Sequence, residues 1–441
     1  MSHLEPSLEK RTIRKVTWRI IPFVFICYII SYIDRANLGY AALEMNKDLA
    51  LSSEVFGFAS GIFFIGYFLF EVPSNVMMQR FGARVWIARI LVTWGILAVI
   101  TGFIQSAMHL YILRFLLGVA EAGFFPGIIM YLTFWFRSKE RATTIALFTA
   151  AIPVSYIIGA PLSTWIMDSI NWMNISGWRW MFILEGLPAV ILGVVTYFYL
   201  TDSPKNAKWL KIEEKEWLIQ ELKKDTESRK DVKHLGIMKA MINPKVLFLS
   251  FIYFVYQTGS LGVGYWMPQI IKGFSDTLTN IQIGLIATIP YIGATIGMIF
   301  WSRHSDSKGE RRLHSAIPLL LASIGLVGAG LTGNPYLAIL LITLSLTGMY
   351  SFKAPFWALP SLFLTQSTAS IAIASINSVG NLGGFVGPYT IGIINGATHD
   401  IKVGLLFLSS LLLISFLMVL FMKVDDRKSQ IENTRPQKFS S

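Results

Sequence analysis

The sequence predicts an all-α membrane protein with twelve transmembrane helices in two six-helix bundles. Three observations carry this. Of the 441 residues, 54% are hydrophobic and only 15% are charged, whereas a water-exposed globule carries about a quarter charged residues. The charges are clustered: from Leu313 to His399, Lys353 stands alone among Asp, Glu, Lys and Arg. The uncharged runs between clusters reach the roughly 20 residues that a helix needs to cross a hydrocarbon core of about 30 Å. These figures exclude a disordered chain, a collagen-like fibre and an ordinary soluble enzyme. A net charge of +12 would suit a nucleic-acid binder, but the cations sit in turns between apolar runs, so no nucleic-acid partner is expected.

The length criterion places the first six spans at about 16–40, 54–79, 85–106, 108–136, 142–168 and 178–200, and the other six at about 245–271, 280–302, 313–332, 335–364, 367–397 and 403–422. This divides the chain into an N-terminal bundle (1–200), a cytoplasmic linker (201–244), a C-terminal bundle (245–423) and a cytoplasmic tail (424–441). All but seven of the Lys and Arg residues fall on the N-terminal arm, alternate turns, the linker and the tail. Lys/Arg-rich ends face the cytoplasm, so both termini are expected there. Of the other seven, Lys47, Lys272 and Lys402 mark the outer turns, while Arg35, Arg114, Arg179 and Lys353 lie within or at the edge of spans. The charged N-terminus lacks a cleavable signal pattern, so span 1 is expected to persist. Cys27 is the lone cysteine and can form no internal disulfide.

Charged side chains inside a span cost about 2.5–3.5 kcal/mol each on insertion scales, so they face a cavity or a partner. Span 1 carries Asp34 and Arg35 toward its outer end. Span 2 carries Tyr67 and Glu71 one turn apart, with Glu71 just before Pro73 near the cytoplasmic end, a place that suits a structural or gating role more than substrate contact; Arg80 and Arg84 follow as gating candidates. Span 4 carries Arg114 and Glu121, seven residues apart on one face, with Gly118 between them allowing close approach. Opposite directions of spans 1 and 4 put Asp34 and Arg114 at one depth, where pairing would offset the burial of both. Glu121 lies about 10 Å deeper with no evident fixed partner. Arg179 and Glu185 on span 6 read as structural. The linker segment WLKIEEKEWLIQELKK suggests an amphipathic helix under the membrane or a solvated connection between bundles.

In the second half, span 7 offers Gln257, Tyr265 and Trp266 as secondary cavity-lining residues, and span 10 offers Trp357. Lys353 on span 10 stands beside Pro355 and Pro360, which are expected to break the helix and expose backbone to a cavity. Lys353 suits a second carboxylate contact, a snorkelling cation or a gate latch. Asn377 and Asn381 share a face of span 11, where their amides can meet substrate hydroxyl or carboxyl groups. The neighbouring glycines suit close helix packing.

An Arg of fixed charge binds a carboxylate through two hydrogen bonds, and a desolvated carboxyl exchanges protons nearer neutrality. Together they suit coupled transport of an anion, with Asp34 and Glu121 as proton-coupling acids. The alternative is a set of ion pairs that only hold spans in register. There is no GxxxxGK[ST] loop, HExxH pair, CxxC or GxSxG elbow, so no enzyme activity, metal or cofactor is expected, and work must come from a gradient. The dispersed His residues near span ends, among them His109, His304, His314 and His399, read as structural or interfacial.

The stretches YIDRANLGYAAL, FFIGYFLFEVPSN, RFGARVWIAR, RFLLGVAEAGFFPG, GWRWMFILEGLPAV, SDSKGERR, PFWALPSLFL and INSVGNLGGFVGP together resemble the anion:cation symporter branch of the major facilitator superfamily over nearly the whole chain. The resemblance is to transporters of tartrate, rhamnonate and other sugar acids, and of aromatic acids. It implies proton symport by alternating access between two bundles, with proton-handling acids at Asp34 and Glu121 and anion-binding or gating residues at Arg35, Tyr67, Arg114 and Asn381. One departure is Gln79, where the superfamily's turn between spans 2 and 3 carries an Asp. The corresponding turn between spans 8 and 9 keeps Asp306 and Arg311, residues expected to gate with Glu71, Arg80 and Arg84.

The expected protein is therefore a multi-pass importer of a bacterial inner or plasma membrane. Its partners are protons, a small organic anion and the lipid bilayer, and it is expected to act as a monomer. An anion exchanger or exporter would use the same Arg residues, and a substrate-sensing receptor on the same fold is a third reading.

Overall fold

The computed structural model describes residues 5–227, 242–275, 277–360 and 366–422. The N-terminal half comprises α1 (Glu5–Asp48), α2 (Ser53–Phe81), α3 (Ala83–Thr101), α4 (Ala107–Glu121), α5 (Phe124–Thr133), α6 (Ser138–Thr149), α7 (Ala151–Ser169) and α8 (Gly177–Tyr199). A linker helix, α9 (Ile212–Glu227), follows. The C-terminal half comprises α10 (Pro244–Lys272), α11 (Asn280–Lys308), α12 (Arg312–Leu331), α13 (Pro335–Ala358), α14 (Gln366–Asn381), α15 (Gly383–Thr398) and α16 (Ile401–Leu420). Helix starts carry the caps that free backbone N–H groups require: Ser52 for α2, Ser106 for α4, a Thr279–Gln282 capping box for α11, and Asn334 for α13.

Among the described residues, eleven helical segments are long and apolar enough to cross a membrane, two of them made of consecutive helices, α4 with α5 (Ala107–Thr133) and α6 with α7 (Ser138–Ser169). The eleventh expected span, 367–397, is α14 and α15, each 16 residues. Such a helix rises only about 24 Å, so the pair must act together. Leu382 joins them with near-helical angles, φ −63° and ψ −24°. A second interruption separates α4 from α5, where Gly123 takes φ +86°. Only glycine adopts this conformation without strain, and the Ser74 hydroxyl fills the space a Cβ would need.

Of the two expected breaks, the one at Pro355 does not occur: α13 runs through it and ends at Ala358, with a turn at Leu359 just before Pro360. Phe352 packs on Tyr256 (ring centroids 4.4 Å apart) and Phe356 on Tyr253 (5.3 Å). These contacts hold the turn in helical form although the proline leaves one carbonyl unbonded. The part of span 10 beyond Pro360, the linker segment 228–241 and the tail 424–441 lie outside the described residues.

Without a hydrophobic drive in lipid, helices associate by close backbone approach at small residues. Gly95, Gly186 and Gly193 seat α8 against α3, with Val190, Val99 and Val92 filling the space. The two halves meet by the same device at the ends opposite the basic turns. A Cβ on Gly57 would come within 2.6 Å of the Pro388 carbonyl, one on Gly61 within 2.7 Å of the Phe385 carbonyl, and one on Gly392 within 2.5 Å of the Ser53 carbonyl. Hydrogen bonds reinforce this seal: Asn280 Nδ2 donates to Glu44 (2.7 Å) and Asp168 (2.8 Å), and Asn395 Nδ2 to Ser53 (2.8 Å).

At the basic ends, α9 docks on protein, so its apolar face is not left for the membrane. Leu218 is buried, Trp209 in the preceding turn stacks on Trp135 at 5.4 Å, and Arg137 lies over Trp217 at 4.9 Å. Arg137 also bonds Glu9 (2.7 Å), Glu140 (2.6 Å) and Glu221 (3.0 Å). Glu214, buried in the same helix, bonds Arg11 and Lys15. The Lys139 and Arg137 hydrogen bonds hold the Glu9 carboxyl below its ordinary pKa, and those from Lys224 and Arg137 do the same for Glu221.

Candidate functional site

Asp34 and Arg35 are adjacent on α1, so their side chains diverge by about 100° around the helix axis. That divergence decides their partners. Arg35 turns toward the C-terminal end of α4, where its Nε and Nη2 donate to Glu121 Oε1 at 3.0 and 2.7 Å. The Ser31 hydroxyl donates to the same oxygen at 2.6 Å. Glu121 therefore has a fixed partner after all, and its other oxygen, Oε2, is buried without one. Tyr32, Phe63 and Tyr67 place their rings 5.1–5.4 Å from the Arg35 guanidinium, a distance at which ring quadrupoles favour the cation.

Asp34 faces α3 and does not pair with Arg114. Its Oδ2 accepts from Trp94 Nε1 at 2.7 Å and its Oδ1 from Asn37 Nδ2 at 3.3 Å. The same Asn37 nitrogen donates to Glu185 Oε2 at 3.0 Å, and Ser163 donates to Glu185 Oε1 at 2.7 Å. Two buried carboxyls on α1 and α8 are thus joined through one amide. Glu185 belongs to this network and not to Arg179, which donates to the Gly102 and Ile104 carbonyls. Asn37 escaped sequence reasoning, although its place three residues after Asp34, on the same helical face, was a usable signal.

Arg114 is 1% exposed. Its Nη2 donates to the Tyr265 hydroxyl across the two halves at 3.3 Å, its guanidinium lies 4.9 Å from the Phe63 ring, and its Nε has no partner. No carboxylate forms an ion pair with it among the described residues. Gly118, one turn along α4, brings that helix against the Phe63 carbonyl of α2, which fixes the depth of both Arg114 and Glu121.

From the second half, Lys353 approaches the Tyr350 ring to 4.9 Å and has no acidic partner among the described residues. A chain of rings connects it to Arg35. Tyr32 contacts Tyr156 (6.1 Å), Tyr156 stacks on Tyr291 across the halves (4.3 Å), and Tyr291 meets Tyr350 (6.2 Å). These tyrosines are not legible in the sequence, since an aromatic in an apolar span carries no sign of the face it occupies. Gln257 is buried on α10, Trp357 packs on Tyr253 at 4.8 Å, and Asn377 and Asn381 are partly exposed on α14. Trp266 lies elsewhere: it donates to the Pro388 carbonyl at 3.0 Å and packs edge-on to Phe56, within the seal.

Tyr67 is buried beside Arg35, and Glu71, buried one turn on, lies close to Ser378 of α14. This contact links the halves on the basic side of the site. The expected gating pairs are local: Arg84 reaches Asp202 at 3.9 Å, Arg311 reaches Asp306 at 2.7 Å, and Arg80 is exposed beside Phe81.

The arrangement therefore offers an anion the buried Arg114 and the partly buried Lys353, neither with an acidic partner among the described residues, next to the Arg35–Glu121 ion pair, whose acid has a free oxygen. The sequence matches the Major Facilitator Superfamily over residues 24–388 and 277–440. It is 46% identical over 431 residues to a protein of Agrobacterium vitis named "Putative tartrate transporter", covering 98% of this chain and 95% of that one. It is 39% identical to a "Quinolone resistance transporter" of Acinetobacter baumannii, covering 97% and 99%. Its fold matches a partially occluded, inward-open structure of the xylose transporter XylE from E. coli with a TM-score of 0.75 at 17% identity, over 93% of this chain and 98% of that one. The chain belongs to the major facilitator superfamily and is a membrane transporter, not an enzyme.

Proposed function

We propose that the protein imports a small organic carboxylate together with protons across a bacterial inner membrane, by alternating access between its two halves. The observation that carries this reading is Arg114: a guanidinium 1% exposed, with no ion-pairing acid among the described residues. An unpaired buried charge is strongly unfavourable, and an arriving carboxylate supplies the missing partner in bidentate geometry. The name of the Agrobacterium relative at 46% identity supports a dicarboxylate or sugar acid as the class of substrate.

Coupling follows from the Arg35–Glu121 pair. While Glu121 is ionised, it holds Arg35. A proton on Glu121 removes the acid's charge and frees Arg35 to join Arg114 on the anion, and the aromatic wall of Tyr32, Phe63 and Tyr67 keeps the released cation in place. Asp34, bonded only to neutral donors, is a second proton carrier in this scheme. Lys353, Asn377 and Asn381 complete the seat from the other half, and Glu71 with Ser378 closes it on the basic side. Purified protein in liposomes should accumulate labelled tartrate or a sugar acid when the outside is made acidic, and should fail to do so when the gradient is collapsed.

The relative named for quinolone resistance favours a second reading, an exporter that exchanges a carboxylate-bearing aromatic compound for protons. The same residues would serve it. Under an imposed gradient the two readings give opposite signs of net substrate flux.

A further inference from the structure

The outer wall of α3 and α8 carries a feature that transport does not use. Close to their basic ends lies a cavity of about 370 Å³, lined by Val85, Arg89, Val92, Val194, Tyr197 and Phe198. Its apolar walls face away from the protein: Val194 is 51% exposed and Phe198 79%. Arg89 stands out among these residues. Its guanidinium lies 4.0 Å from the Trp86 ring, its Nε is buried without a partner, and no ion pair reaches it among the described residues. Arg84 lies over the Tyr197 ring at 5.0 Å, and Asp202, already engaged by Arg84, is the acid at this corner.

Arg89 lies six residues into α3, about 9 Å from the start of the helix, where headgroup and acyl chain meet. We propose that this groove binds one anionic phospholipid, its phosphate bonded by Arg89 and its acyl chain lying along Val92 and Val194. Charge complementarity selects the occupant. The corner is cationic, a guanidinium binds phosphate bidentately, and basic pockets between helices on the cytoplasmic side take anionic headgroups. Phe81 and Trp86, stacked at 5.8 Å, wall the headgroup end.

Native mass spectrometry of the full-length protein, delipidated and then incubated with phosphatidylglycerol or with phosphatidylcholine of the same acyl chains, tests the site. The expected result is one tightly retained phosphatidylglycerol, with phosphatidylcholine bound about five- to tenfold more weakly. Arg89→Gln should abolish the preference between the lipids, Val194→Trp should fill the groove and displace both, and Arg80→Gln should change neither. Arg80 and Val194 are exposed and Arg89 is half-buried, and a matching thermal-unfolding curve without lipid confirms that each variant folds. Equal retention of the two lipids by the wild type overturns the proposal. So does an Arg80→Gln effect as large as that of Arg89→Gln, which would mean a diffuse basic attraction, or undiminished retention in Val194→Trp.

Discussion

A guanidinium held inside a membrane protein with a tyrosine hydroxyl and ring faces around it, as Arg114 is, has lost most of its hydration without gaining a counter-charge. A bound carboxylate restores both at once. Replacing Arg114 by Lys keeps the charge but removes the planar fork. A charge-assisted hydrogen bond contributes about 1.5–3 kcal/mol, so Arg114→Lys should weaken anion binding by roughly 10- to 150-fold, measured by isothermal calorimetry on the purified protein. Unchanged affinity would place the anion elsewhere, with Lys353 next in order. Asn37 is a second residue-scale control. It carries both hydrogen bonds that join Asp34 and Glu185, and its Oδ1 is buried without a partner. Asn37→Ala should leave two buried carboxyls facing each other and cost about 1–3 kcal/mol of stability, visible as a lowered unfolding temperature.

At the scale of elements, the seal between α2 and α15 depends on paired glycines. Gly57→Leu would push a side chain into the Pro388 carbonyl and the backbone of Gly392, so the sealed arrangement should lose population. Spin labels placed at Ser52 and Thr398 should then report a longer mean distance than in the wild type; an unchanged distance would show that the seal tolerates the added volume. Span positions were legible in the sequence because length and apolarity alone set them, and the resemblance supplied the fold. Pairing was less legible. Spacing puts Arg114 and Glu121 on one face, yet it does not say which neighbour α1 turns toward them. The one-residue step from Asp34 to Arg35 reversed the expected pairing. Pro355 misled for a related reason: a proline marks a lost hydrogen bond, and whether the helix bends depends on packing, here the Phe352 and Phe356 rings. The break after Glu121 was likewise hidden, because Gly123 reads as one more small residue until its positive φ is seen.

Across the whole molecule, the N-terminal arm, the turn before α6 and the linker helix α9 are tied by Arg137 and its three acids. Glu9 and Glu221 have pKa values depressed in the folded state, so their stabilising contribution is complete above the ordinary carboxylate value of about 4.3 and is lost as pH falls through and below it. Thermal unfolding in detergent should therefore show a temperature that drops on acidification through this window. Arg137→Ala should flatten that drop while lowering stability at neutral pH, and an unaltered slope would mean that Lys139 and Lys224 alone hold these acids down. The same cluster anchors the linker to one half, so in the proposed alternating access the other half would move relative to it.

In the proposed coupling, proton binding at Glu121 releases Arg35 to the anion. Uptake of labelled tartrate or sugar acid into proteoliposomes, with wild-type protein and with Glu121→Gln, decides whether it does. The wild type should concentrate the substrate under an inwardly directed proton gradient. The variant should lose that accumulation yet keep substrate counterflow without a gradient, because Arg35 and Arg114 remain available to the anion. Gradient-driven accumulation surviving in Glu121→Gln would rule out Glu121 as the coupling acid.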